Sequence, residues 1–138
     1  METQNTYRSF NAEKTIEELQ YKMLQYNTTL ESFLVEYSFY MHLLKSQVFR
    51  PNVINLFEYL ERFKKTLAHH ETSTRNLIVE ISSHNNQITK KIECEDLVCN
   101  NYFIKEYDAL ENKIHDFLIE YSNFKSQMLP YLQSVIKH

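Results

Sequence analysis

Residues 93–99, Glu-Cys-Glu-Asp-Leu-Val-Cys, carry both cysteines of the chain beside three carboxylates. Thiolates are soft donors and carboxylates hard ones, so this segment could bind a metal ion or cycle between dithiol and disulfide. Structural zinc takes four ligands, commonly as two closely spaced pairs, and Cys94 with Cys99 has no second pair to match. A disulfide would require the loop to fold the two sulfurs together. The simpler expectation is a pair of buried or half-buried thiols beneath a helix connection.

Glu80 with His84, and Glu111 with His115, are each spaced four residues apart. On a helix that spacing places both side chains on one face, and antiparallel neighbours would bring the two pairs to similar heights. Di-iron bundles build their sites from such groups, but with Glu-x-x-His on two helices and two further glutamates. The spacing here differs, and the register derived below sets His115 on an outer position, so no resident metal or other cofactor is expected. His84 reads as a polar core residue hydrogen-bonded within the bundle. Ser83-His84-Asn85 resembles the phospho-accepting helix of sensor kinases in outline, without the proline and acidic neighbour that mark that box. Long straight helices rarely gather a Ser/His/Asp triad, so no catalytic residue is expected and the chain reads as non-enzymatic. Tyr26, Tyr37, Tyr40, Tyr107, Tyr121 and Tyr131 all fall on helix seams, which favours core packing with hydroxyls reaching the edge over radical chemistry.

The elements that must position these groups follow from composition. The chain has 138 residues and no glycine. Phosphate-cradling loops, dinucleotide fingerprints and nucleophile elbows depend on glycine's freedom at positive φ or at close backbone approach, so those function classes are excluded and a sandwich or barrel is disfavoured. An apolar fraction of 43% with ten Tyr and nine Phe is too high for a disordered chain. Net charge is only −3 and evenly spread, so neither nucleic acid nor an anionic membrane is an expected partner. No apolar run approaches the roughly 20 residues of a membrane span. A polar start and two cysteines without a secretory signal point to a reducing cytoplasm. Abundant Phe, Tyr, Ile, Asn and Lys with scarce Ala, Arg and Gly is the skew of AT-rich codons, and suggests a bacterial source.

Three segments show heptad spacing, with helices expected at about 12–49, 52–92 and 101–137, after a flexible arm over 1–11. In the first, Ile16, Met23, Leu30, Tyr37 and Leu44 occupy a, and Leu19, Tyr26, Phe33, Tyr40 and Gln47 occupy d. Thr15 and Glu18 form a candidate capping box, with Asn11 as an alternative cap. Arg50-Pro51 ends the segment. In the second, Val53, Leu60, Leu67, Thr74, Ile81 and Ile88 are a, and Leu56, Phe63, His70, Leu77, His84 and Lys91 are d. Asn52 is its expected cap, with ion pairs Glu58–Arg62 and Glu61–Lys65 on its surface. In the third, Tyr107, Ile114, Tyr121, Met128 and Val135 are a, and Phe103, Leu110, Phe117, Phe124 and Tyr131 are d, with a kink or restart near Pro130.

Short connections between long segments predict an all-α, up-down-up antiparallel bundle of three helices. A four-helix bundle is the alternative if the second segment breaks near 70–74, where Ser and Thr weaken the helix. Spectrin-type repeats share the general plan, but this chain has no tryptophan and one unit, and no motif assigns it to a family. His70 and Thr74 are expected to form a polar layer opposite residues 28–32 and 122–123, whose replacement by leucine would raise the melting temperature.

Apolar residues spill beyond a and d near residues 49–51, on all three segments. Phe39, Leu43, Ile54, Phe57 and Leu132 therefore make up the expected interaction surface. The expected function is a helical protein-binding module whose partner is a second copy, as a homodimer, or another helical protein. The alternative is a metal- or thiol-dependent sensor using Cys94/Cys99 or the Glu80/His84/Glu111/His115 group.

Overall fold

The computed structural model describes residues 9–91 and 97–137, with side chains described outside 88–101. Among the described residues there are three helices, α1 (Ile16–Leu44), α2 (Leu56–Lys91) and α3 (Leu97–Val135). Contacts fix their directions. Tyr26 meets Glu111 and Glu36 meets Tyr121, so α1 and α3 run the same way. Glu80 meets Lys113 while Tyr59 meets Tyr131, so α2 runs against α3. The architecture is the up-down-up bundle expected from the heptads.

The capping box is present in both directions at the start of α1. Glu18 N–H donates to Thr15 Oγ1 at 3.1 Å, and Thr15 N–H donates to Glu18 Oε1 at 3.1 Å. Thr15 is therefore the cap, and Asn11 is not. At the other end α1 stops at Leu44, before the expected Phe49. The intervening chain leaves the helix so that Phe49 can be buried against the end of α3 in a short antiparallel bridge to Ile136. Arg50 N–H donates to the Val135 carbonyl and Lys137 N–H to the Val48 carbonyl, both at 2.8 Å. The Arg50 guanidinium also donates to the Ser134 carbonyl.

Helix α2 begins at Leu56, not at Asn52. Asn55 precedes it with φ of 60°, a left-handed conformation that asparagine tolerates better than most residues. No break occurs at 70–74, so the four-helix alternative is not adopted. The hydroxyls of Thr72 and Thr74 donate to the carbonyls one turn back, of Ala68 and His70, and so bond within the helix instead of competing with it. Its surface pairs are Glu61–Lys64 and Glu71–Arg75, not the expected ones, and Arg62 lies over the Tyr59 ring. Helix α3 starts earlier than expected and runs through Pro130 without a restart. Pro130 and Ser126 are both exposed, so water can satisfy the carbonyl that proline leaves without a donor.

The core is the sum of the three seams. Every a and d residue with a described side chain is buried or half-buried except Gln47, which lies beyond the end of α1. Tyr121 and Tyr107 are among the largest fully buried side chains. The hydroxyl of Tyr121 reaches Glu36 at 2.6 Å, whereas that of Tyr107 is buried with no partner among the described residues, not at the edge.

His70 and Thr74 are both buried, but their layer differs from the expected one. Residues 28, 29, 31, 32, 122 and 123 face solvent. The layer is instead completed by Tyr37, whose hydroxyl lies 2.7 Å from Thr74 Oγ1. Thr74 spends its one proton on the His70 carbonyl, so Tyr37 must be the donor. Thr74→Val should therefore lower stability by about 1–3 kcal/mol, because it strands a buried hydroxyl, whereas Thr74→Ser should stay near wild type. Urea denaturation distinguishes the two; equal stability of both variants would remove Thr74 as Tyr37's required acceptor.

Candidate interaction surface and flanking grooves

The five residues expected to form one surface divide into four groups. Ile54 and Phe57, at the entry to α2, are 82% and 72% exposed. Phe57 lies two heptads before Glu71, which borders α1 in a groove of about 700 Å³ lined by Leu34, Ser38 and Met41. Phe57 thus belongs to the α1–α2 side of the bundle. Phe39 is 62% exposed and edges onto Tyr40, with ring centroids 5.7 Å apart. It stands one turn beyond Glu36, and exposed Leu129 one turn beyond Lys125, the two residues that meet across α1 and α3. Phe39 therefore belongs to the α1–α3 side. Leu43 is half-buried against the core.

Leu132 is a correction. It is only 2% exposed, because it lies on the stripe of α3 that also carries Glu111 and Lys125, and that stripe is turned toward α1. The bundle end is consequently a covered core with two separate apolar edges. The connection between α1 and α2, which carries Ile54, is held by the bridge to Ile136, and Phe57 stands in the first turn of α2.

The four metal candidates on helices are not brought together. Glu111 lies in the α1–α3 groove, where Lys22 Nζ is 2.8 Å from Oε2 and the Tyr26 hydroxyl donates to the same oxygen at 2.6 Å. His115 Nε2 is 3.0 Å from that hydroxyl. Since the phenol proton goes to Glu111, the imidazole nitrogen must donate to the phenol oxygen. Glu80 lies in the other groove, paired with Lys113 at 2.8 Å, and the buried ring of His84 stacks on Phe103 with centroids 5.0 Å apart. The reason is geometric: neighbours in an antiparallel bundle approach α3 from two flanks, and the two i,i+4 pairs follow different flanks. Among the described residues no group of three His, Cys, Asp or Glu is placed to hold a metal ion. Cys94 lies outside the described residues, as does the side chain of Cys99.

The Glu111 groove does something the sequence did not suggest. Asn11, placed in a flexible arm by its sequence context, is buried, and its amide nitrogen donates to Asp108 Oδ1 at 2.6 Å and Glu111 Oε1 at 3.2 Å. Residues 9–15 are thereby strapped to α3. Burial alone would raise the Glu111 carboxyl, but hydrogen bonds from Lys22, Tyr26 and Asn11 outweigh it and hold the group below its ordinary range. Burial and this same carboxylate push the Tyr26 phenol well above its ordinary value. Glu111 opposite Lys22 and Tyr26 is a readable signal for polar closure of this groove, though Asn11 as its third party is not.

No helix among the described residues is long and apolar enough to cross a membrane. Comparison with protein-family models, curated proteins and solved structures finds no match for this chain.

Proposed function

We propose that this chain is a non-enzymatic helical module that binds protein, and that its partner is a second copy of itself. The observation that carries the reading is the exposure of Ile54 and Phe57, three residues apart at the entry to α2, outside a core that is buried without them. Each such side chain gains roughly 1.5–3 kcal/mol on full burial. A two-fold axis beside the entry to α2 would set Ile54 and Phe57 of one copy against the same residues of the other, the commonest arrangement for homo-oligomers. A net charge of only −3 offers little repulsion against such pairing. Phe39 with Leu129 forms a second apolar edge that would flank the contact or seat a further partner. Two cysteines in a chain of this length suit work in a reducing bacterial cytoplasm.

Light scattering on the purified chain tests the reading. The wild type should run as a dimer at micromolar concentrations, and Ile54→Glu with Phe57→Glu should give a folded monomer with an unchanged helical spectrum. Two like charges facing themselves across the axis make the second result sharp. A wild-type chain that is monomeric throughout that range would end the proposal.

A further inference from the structure

His70 sits near the middle of α2, buried, with the rings of Phe117, Tyr121 and Phe124 at 5.7, 5.7 and 5.1 Å. Its Nδ1 has no hydrogen-bond partner among the described residues. Imidazole is the side chain whose ordinary titration falls near neutrality, and this box accommodates only the neutral ring. A proton on the free nitrogen would create a buried cation with a donor that nothing accepts, a costly combination in an apolar surround. One way out exists. Beside the box a cavity of about 260 Å³ opens between α2 and α3, lined by Arg62, Thr66, His70, Glu120, Asn123 and Gln127.

We propose that His70 is an acid-operated latch between α2 and α3. When neutral it fills the aromatic box and closes the middle of the bundle; when protonated it leaves for the cavity beside Glu120, and the α2–α3 contact loosens. The surrounding charges are consistent with two such states. From α1, Tyr37 reaches the layer through Thr74, and Glu36 is engaged by Tyr121 and Lys125. On α2, Arg62 and His69 repel a further positive charge, while Glu120 of α3 attracts it. In the closed state burial outweighs the pull of Glu120 and holds the imidazole below its ordinary value of 6.5. The sign follows from linkage. A histidine whose folded value is depressed stabilises the fold fully above the unfolded value, and that stability is lost as pH falls below it toward the folded value.

The test is urea unfolding of the full chain between about pH 7.5 and 5, the window of histidine titration, on wild type, His70→Leu and Glu120→Gln. Relative to His70→Leu, the wild-type folding constant should fall as pH drops below the ordinary histidine value, by up to about tenfold per pH unit. Glu120→Gln should move the opening to lower pH. An NMR titration of the unmodified protein gives a readout that needs no variant: the His70 ring should change together with the Phe117 and Phe124 ring signals, at a pH below the ordinary value. Parallel pH curves for wild type and His70→Leu, or a His70 ring that titrates normally while those signals stay fixed, would overturn the latch.

Discussion

Tyr121→Ala should destabilise the bundle by about 3–5 kcal/mol, the range for emptying a large buried aromatic site. Tyr121 is fully buried and joins all three helices. Its ring lies 4.6 Å from Phe33 and 5.1 Å from Tyr37 on α1, and 5.7 Å from His70 on α2. Removing it would leave a cavity whose walls are themselves rings, stiff side chains that cannot collapse inward as aliphatic ones do. It would also strip Glu36 of a hydroxyl donor at 2.6 Å and Lys125 of the ring it covers at 4.5 Å. Tyr121→Phe separates these effects. It keeps the ring and loses only the bond to Glu36, which retains Lys125 and access to water, so its loss should be nearer 1 kcal/mol. Chemical denaturation at neutral pH decides between them, and an alanine variant as stable as the phenylalanine one would show that the ring stack does not hold the middle of the bundle.

That stack was partly legible in the sequence. Heptad spacing placed Tyr37, His70, Phe117 and Tyr121 on seams, because a helix converts sequence period directly into a face. Which layer each seam residue meets depends on where the helices begin, and here local signals were weaker. Proline and asparagine codes suggested an α1 ending near Phe49 and an α2 beginning near Asn52. The chain instead gives up helix at both ends so that residues around Phe49 can pair with residues around Ile136. Such a bridge joins points far apart in sequence and leaves no periodic trace. Pro130 misled for the opposite reason: a helix tolerates proline where the freed carbonyl faces water, and exposure is a property of the packed bundle. The Glu80/His84 and Glu111/His115 pairs were correctly placed on single faces, but not on a common one, since flank assignment requires knowing which neighbour each stripe of α3 meets. Leu132 reads as surface in the sequence for the same reason, since it lies off the a and d positions yet is turned toward α1.

Val135→Asp should be the most disruptive change at the end of the bundle. Val135 is buried at the last turn of α3, and its carbonyl accepts the Arg50 amide at 2.8 Å. A carboxylate there would be desolvated in the apolar core, and it would also face the negative end of the α3 dipole. Together these should lower stability by about 3 kcal/mol or more, against about 2 kcal/mol for Val135→Ala, which only removes apolar burial. The larger consequence is local. With the bridge to Ile136 lost, residues 45–55 are left with little beyond the packing of Val53 and the bond of the Arg50 guanidinium to the Ser134 carbonyl, and Lys45 should open to trypsin. Ile54 rides on that segment and Phe57 follows it in the first turn of α2, so the dimer proposed above should weaken along with it. Limited proteolysis and light scattering on one preparation read both effects. A connection that stays protected in Val135→Asp would mean the bridge does not hold it, and an intact dimer with a cleaved connection would move the contact away from Ile54 and Phe57.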